Sequence, residues 1–294
     1  MDLVVKSARI PLVGETILGG DFIMAAGGKG ANQAVAAAKL GAEVYFIAKL
    51  GDDIFGGQSL NKFKEAGVNT RYVTQTKEAP SGVALIMVDD KGDNVIAVAP
   101  GANQKLSPED VKEAESDIAS CGAVVAQLEV PLETIEFAGQ LANSSTVPFI
   151  LDPAPAQRLG TALLKIVDVL TPNETEAQIL SDMEVTDEDS ARGAAERLLG
   201  SGVKAVILTM GAKGFLLADS ERVEFVPAIK VEAVDATAAG DAFTGSLAVG
   251  LAQGKPLFDA ASFANRVAAL SVTKMGAQPS MPTREALEHF VECG

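Results

Sequence analysis

From about residue 104 onward, short apolar runs alternate with stretches of helical period, and this alternation constrains the fold more than any other feature. "SPEDVKEAESDIAS" predicts a helix start, with Ser107 at the N-cap and Pro108 at the first helical position. "AVVAQLEV" follows as an apolar run, "PLETIEFAGQLAN" as a helix and "VPFILDPAP" as a strand, and "VDVLTPN" and "KAVILTMG" repeat the pattern. Near-continuous apolar strands between amphipathic helices predict a parallel sheet covered on both faces. Such sheets bind ligands beyond the carboxyl ends of their strands. Glu129, Asp152, Asn173, Thr209 and Asp235, which close the runs, are therefore candidates by position alone. A chain of 294 residues, 48% hydrophobic, can bury a core as one large α/β domain or two smaller ones. No repeat, low-complexity tract or linker divides it, so a single domain over 1–294 is expected.

Two stretches break the rhythm. Residues 2–26 have little helical period, and 71–100 alternate around a turn at "DDKGDN". They predict antiparallel strands attached to the α/β body as a small lid sheet. The net charge of −15 argues against nucleic-acid or anionic-membrane partners, which need basic patches. No apolar run suits a membrane span and no charged-then-apolar leader opens the chain, so a soluble, cytoplasmic protein is expected. Cys121 and Cys293 are too few for a disulfide framework, and His289, the only histidine, speaks against a Ser-His-Asp triad or a histidine-rich metal site.

The chemistry concentrates in a few segments. In "VEAVDATAAGDAFTG", Ala238, Ala239 and Gly240 leave backbone N–H groups uncovered where a helix begins, a place that attracts anions. Asp241 follows in the first turn. Either it caps the helix, or it accepts a proton from a hydroxyl while a phosphoryl group arrives there. "AAGGKGANQAVAAAKLGA" is neither a Walker A loop nor a dinucleotide fingerprint. Its glycines suit a tight turn or a close ligand approach, with Lys29 and Asn32 as donors for a polyhydroxylated ligand. In "LTPNETEAQIL", Asn173 and Glu176 share a helical face, as an N-cap with first-turn acids or as oxygen ligands for hydrated Mg²⁺. "LTMGAKG" is a nucleotide-binding turn or an ordinary hairpin, and "KMGAQPSMP" offers carbonyls to a cation.

Together these segments resemble the ribokinase family of carbohydrate kinases over essentially the whole chain. "GGKGANQAVAAAKLGA" and "VDATAAGDAF" carry the likeness, with "QLEVPLE", "DPAPA", "TPNETEA", "TMGAKG" and "GAQPS" in family order. The resemblance implies a three-layer α/β/α fold with a mostly parallel central sheet and a small antiparallel β lid. It implies ATP-dependent phosphorylation of D-ribose at O5, with deoxyribose, fructose or a nucleoside as alternative acceptors. Asp241 would be the catalytic base, with the amides of Ala238, Ala239 and Gly240 as the anion hole. Asp2, Gly28, Lys29, Gly30, Asn32 and Glu129 would hold the sugar. Asn173 and Glu176 would support Mg-ATP, with Thr209, Gly211, Lys213, Gly214, Gly240 and Asn265 around the nucleotide. Asp235, Thr237, Ser271, Lys274, Gly276 and Ser280 would form a K⁺ site. Separately, the alternation over 71–100 suggests an exposed lid sheet that pairs with its counterpart in a second chain, so a homodimer through the lid is expected.

The chain departs from the family at its start. The family opens with a strand and a Gly-Ser-x-Asn-x-Asp stretch; here Asp2 matches the last Asp, while the strand and the Asn are missing from "MDLVVKSARIPLVGET". That strand lies inside the family's sheet, so its loss is expected to open core surface and backbone hydrogen bonds. Two expectations follow: a start downstream of the natural one, or a truncated paralogue that binds sugar without turnover. Ala242 stands where a Thr or Ser is frequent.

Overall fold

The computed structural model describes residues 1–292, with side chains as far as Phe290; Cys293 lies outside them. Strands β1 (Asp2–Ser7) and β2 (Phe22–Ala25) open the chain, followed by α1 (Lys29–Lys39), β3 (Ala48–Gly51), α2 (Ile54–Glu65), β4 (Val73–Thr76) and the hairpin β5 (Val83–Asp89)–β6 (Asn94–Ala99). The predicted 107–120 helix is two short ones, α3 (Pro108–Lys112) and α4 (Glu115–Ile118). Ser107 and Asp110 close a capping box at its start. Then come β7 (Val124–Gln127), α5 (Leu132–Ser144), β8 (Phe149–Asp152), α6 (Thr161–Leu164), β9 (Val169–Leu170), α7 (Glu174–Ser181), α8 (Glu188–Gly200), β10 (Ala205–Thr209), β11 (Gly214–Ala218) and β12 (Val223–Pro227). Three helices complete the chain: α9 (Ala239–Ala252), α10 (Leu257–Ser271) and α11 (Arg284–Glu292).

The main sheet has the order β12-β11-β10-β9-β8-β7, parallel from β7 to β10 and antiparallel beyond. Its strands are apolar on both sides because each side faces a helical layer. On β8, Phe149 and Leu151 join the core beneath α5–α8, whereas Ile150 joins the core beneath α9 and α10. Val206 and Leu208 alternate with Ile207 on β10, and Leu216 and Ala218 with Phe215 and Leu217 on β11, in the same way. This period-two division between two cores makes the three layers.

The lid differs from the sequence expectation in two respects. Its order is β2-β1-β5-β6, and the central pair β1–β5 is parallel, so the sheet is mixed. Both strands leave the body at one point, where the Met1 amine donates to the Gly82 carbonyl and Ala84 N–H to Met1 O, so they run in the same direction. Residues 73–76 of the expected lid instead form β4, which pairs parallel with β3 in a separate two-stranded sheet.

β3–β4 is not joined to the main sheet, which ends at β7. Every residue of β7 is half-buried, in contrast to the fully buried β8 beside it. A cavity of about 380 Å³ separates β3 from β7, with Ala34, Ala37, Phe46, Ala48, Val125 and Ala138 on its walls. The β3–β4 pair and the main sheet are thus separated at this cavity. Among the described residues no helix is long and apolar enough to cross a membrane. No metal-holding cluster of His, Cys, Asp or Glu occurs among them either.

Candidate active site

Helix α9 begins on Ala238, which adopts a left-handed conformation (φ 60°) with no side-chain cap. The run of small residues makes this entry, and Gly240 faces open space. One expected feature is corrected. The Ala239 amide donates to Ala236 O at 3.2 Å, so the tight turn into the helix consumes it. Among the described residues no backbone acceptor bonds the Ala238 or Gly240 amide. Asp241 is buried in the first turn.

Helix α1 brings the partners of that carboxylate. Gly245 has no side chain where a Cβ would stand 2.5 Å from Gln33 O, so α9 and α1 pack backbone to backbone. Asn32 Nδ2 donates to Asp241 Oδ2 at 2.8 Å, and Gln33 Nε2 donates to Asp241 Oδ1 at 3.2 Å and to Asp152 Oδ2 at 2.7 Å. The Asn32 Oδ1 atom is buried without a partner. Lys29 N–H donates to Glu129 Oε2 at 2.9 Å. Gly27 is glycine because a side chain there would collide with the Asp2 carboxylate. Gly28 and Gly30 line the same opening.

Four carboxyl groups, Asp241, Asp152, Glu176 and Glu129, thus surround one ammonium, and Asp2 faces Asp241 from the other side. Burial pushes Asp2, Glu129, Glu176 and Asp241 above the ordinary carboxylate range, and Asp152 up to about 8. Burial also works against the Lys29 charge, but Asp241, Asp152, Glu176 and Glu129 outweigh it and hold the ammonium above its usual value.

Asn173 and Glu176 form a reciprocal capping box at the start of α7: Glu176 N–H donates to Asn173 Oδ1, and Asn173 N–H to Glu176 Oε2. One oxygen of Glu176 and the amide nitrogen of Asn173 remain for a ligand. Both residues, with Thr209, Ala238, Gly240 and Asp241, line a recess of about 190 Å³. The other expected nucleotide residues are dispersed. "LTMGAKG" is a hairpin turn between β10 and β11. Gly211 faces open space. Gly214 is buried with φ 127° because a Cβ would strike Val226 O on β12, so it packs a strand pair instead of lining the site. Lys213 is drawn away to Thr186 O at 2.8 Å and toward Glu174. Asn265 donates to Pro227 O at 3.0 Å.

The expected cation loops meet through Asp235. Its Oδ1 accepts from Thr237 N–H and Oγ1, and its Oδ2 accepts from Gly276 N–H at 2.8 Å. The Ser280 hydroxyl donates to Ala277 O, leaving its oxygen lone pairs available. The Ser271 hydroxyl donates to Ala268 O, and the Ser271 carbonyl accepts from Lys274 N–H. The Asp235 carboxylate thus ties the loop before α9 to the loop after α10.

Gln33, Gln127 and the role of Asp152 escaped sequence reasoning. Position marked Asp152 at a strand end, but a glutamine in an alanine-rich helix gives no signal until α1 is laid against β7 and β8.

The pfkB family of carbohydrate kinases matches residues 1–284, and the chain belongs to that family. More particularly, it is similar to ribokinase of Haemophilus influenzae, with 43% identity over 279 residues, 95% of this chain and 91% of that one. A deoxyribokinase of Salmonella typhi is 40% identical over 292 residues, 99% of this chain and 95% of that protein. Arabidopsis thaliana ribokinase, solved with ribose and ATP, superposes with a TM-score of 0.91 at 33% identity, covering 99% of this chain and 95% of that one.

Proposed function

We propose that this chain transfers the γ-phosphoryl group of ATP to O5 of D-ribose. The observation that carries the reading is Asp241, buried beside the uncovered start of α9 and held by Asn32 and Gln33. The likeness to ribokinases supports ribose as the acceptor. The unpartnered Asn32 Oδ1 supports a hydroxylated ligand, because a buried acceptor is costly unless a donor reaches it. The deoxyribokinase at similar identity keeps deoxyribose as the second acceptor to assay.

Sugar hydroxyls meet Asp2, Gly28, Lys29, Gly30, Asn32 and Glu129 in this reading. Asp241 takes the O5 proton as the O5–P bond forms and the bond from Pγ to the ADP oxygen breaks, and that proton later leaves to solvent. The Ala238 and Gly240 amides and the Lys29 ammonium stabilise charge on the transferred group. Positioning and charge stabilisation supply most of the rate, as phosphoryl transfer allows. Mg²⁺ bound with ATP would shield the phosphates, and Asn173 and Glu176 would hold it through water. K⁺ would sit at Asp235, the Ser280 hydroxyl and the carbonyls of Thr237, Ser271, Lys274 and Gly276. It would shape the loop before α9, so replacing K⁺ by Na⁺ is expected to lower kcat.

Two copies would pair through their lids, which expose Phe22, Met24, Val95 and Val98. A light-scattering mass of one chain at micromolar concentration would refute that pairing. The deciding experiment is Asp241→Asn in a coupled ADP-release assay with ribose and deoxyribose. Turnover is expected to fall about 10²- to 10⁴-fold while calorimetry finds ATP still bound. Retention of most of kcat would remove Asp241 from the reaction.

A further inference from the structure

Gln127 and Asp152 are register partners at the carboxyl ends of β7 and β8, so their side chains stand next to one another at the mouth of the sheet. Helix α1 crosses above them and lowers Gln33 between them. Gln127 Nε2 donates to Gln33 Oε1 at 2.6 Å, which fixes the orientation of the Gln33 amide. Both Gln33 N–H groups then point at carboxylates, one to Asp152 Oδ2 and one to Asp241 Oδ1. Gln127 has its place because residue 30 is glycine: a Cβ there would stand 2.7 Å from Gln127 Oε1. An amide whose oxygen and two hydrogens are all engaged cannot turn without breaking several bonds in a buried site.

We propose that Gln33, oriented by Gln127, is a positioning residue that holds the Asp241 carboxylate toward the acceptor hydroxyl by sharing its amide between Asp241 and Asp152. This rests on the assignment of Asp241 as the base. Asp152 is the fixed end of the bridge, set on the fully buried strand β8, and Asp241 is the aimed end, on the first turn of a helix. Gln33 also keeps the two acids apart, because it presents one positive N–H end to each of them. Asn32 restrains the second Asp241 oxygen from the same helix turn, so two adjacent side chains determine the carboxylate's rotation.

The test compares Gln33→Met, which keeps length and loses both donors, with Gln33→Glu, which adds an acid. Hydrogen bonds to a charged group are worth about ten- to a hundredfold in an equilibrium, and kcat of Gln33→Met is expected to fall within that span, with ribose KM changed less than about threefold. The acidic limb of kcat against pH is expected to move upward, further for Gln33→Glu. The groups facing Asp241 there are Lys29, Asp152, Glu176, Glu129 and Asp2, and none of them is altered. Gln127→Leu, which removes the orienting amide without touching Gln33, is expected to move both readouts in the same direction by less, and it stands in if the Gln33 variants do not fold. Wild-type kcat and an unmoved limb in the soluble variants, or a loss confined to KM, would overturn the proposal. Asp241→Asn assayed alongside separates two failures. If it retains turnover, the base assignment falls; if it loses turnover while the glutamine variants keep theirs, only the positioning role falls.

Discussion

Ala138 and Ala142 lie one turn apart on α5, yet the same substitution at each is expected to have opposite effects. Ala138 borders the cavity between β3 and β7 and is half-buried, whereas Ala142 is fully buried in the core beneath α5–α8. That cavity is open and continues to the opening lined by Gly28 and Gly30, so only the space against Ala138 bears on packing. Ala138→Leu adds three carbons into that space, worth about 2.4 kcal/mol at ~0.8 per buried methylene. Ala142→Leu forces the same atoms into a packed site and costs about 1–3 kcal/mol. Thermal melting followed by circular dichroism converts these to a rise of roughly 5 °C for Ala138→Leu and a fall of a few degrees for Ala142→Leu. Urea midpoints should order the variants in the same way. If both lower Tm equally, the wall at Ala138 is closed in solution and the interruption of the sheet is filled.

Two further outcomes follow from single residues. Asp152 has a folded pKa of about 8, above its unfolded value, so its contribution to stability declines as pH rises through the interval between the two. Asp152→Asn removes that decline, and its Tm advantage over the wild type is expected to grow from pH 5 to pH 8; a constant difference would contradict the raised pKa. Gly214→Ala should cost about 3 kcal/mol, since it adds backbone strain at φ 127° to a clash with Val226 O, and urea denaturation would measure it.

The alternation of apolar and helical segments was legible because the inner main-sheet strands are covered on two faces, leaving uninterrupted runs such as "FILD" and "AVILT". The lid was legible only in part. Alternation marks a strand's exposed face but not its neighbour, so the parallel β1–β5 pair and the transfer of β4 to β3 required the tertiary crossing at Met1 and Gly82. Within the site, Asp241 and Asn32 were found because unusual small-residue strings surround them. The bond from the Ala239 amide to Ala236 was not legible, because it depends on a turn geometry that composition does not set. The packing of Gly214 on β12 was not legible either, because a glycine serving a ligand and one serving a neighbouring strand look alike until the strand is placed.

Four carboxyl groups gathered around Lys29 have a consequence for arrival. A neutral sugar diffuses into this basin unopposed, but a bare triphosphate is repelled by the acids it must pass. Added salt ordinarily slows an attracted ligand; here it should hasten nucleotide association by muting the repulsion. A nucleotide whose phosphate charge is already shielded would meet less of that repulsion on its way in.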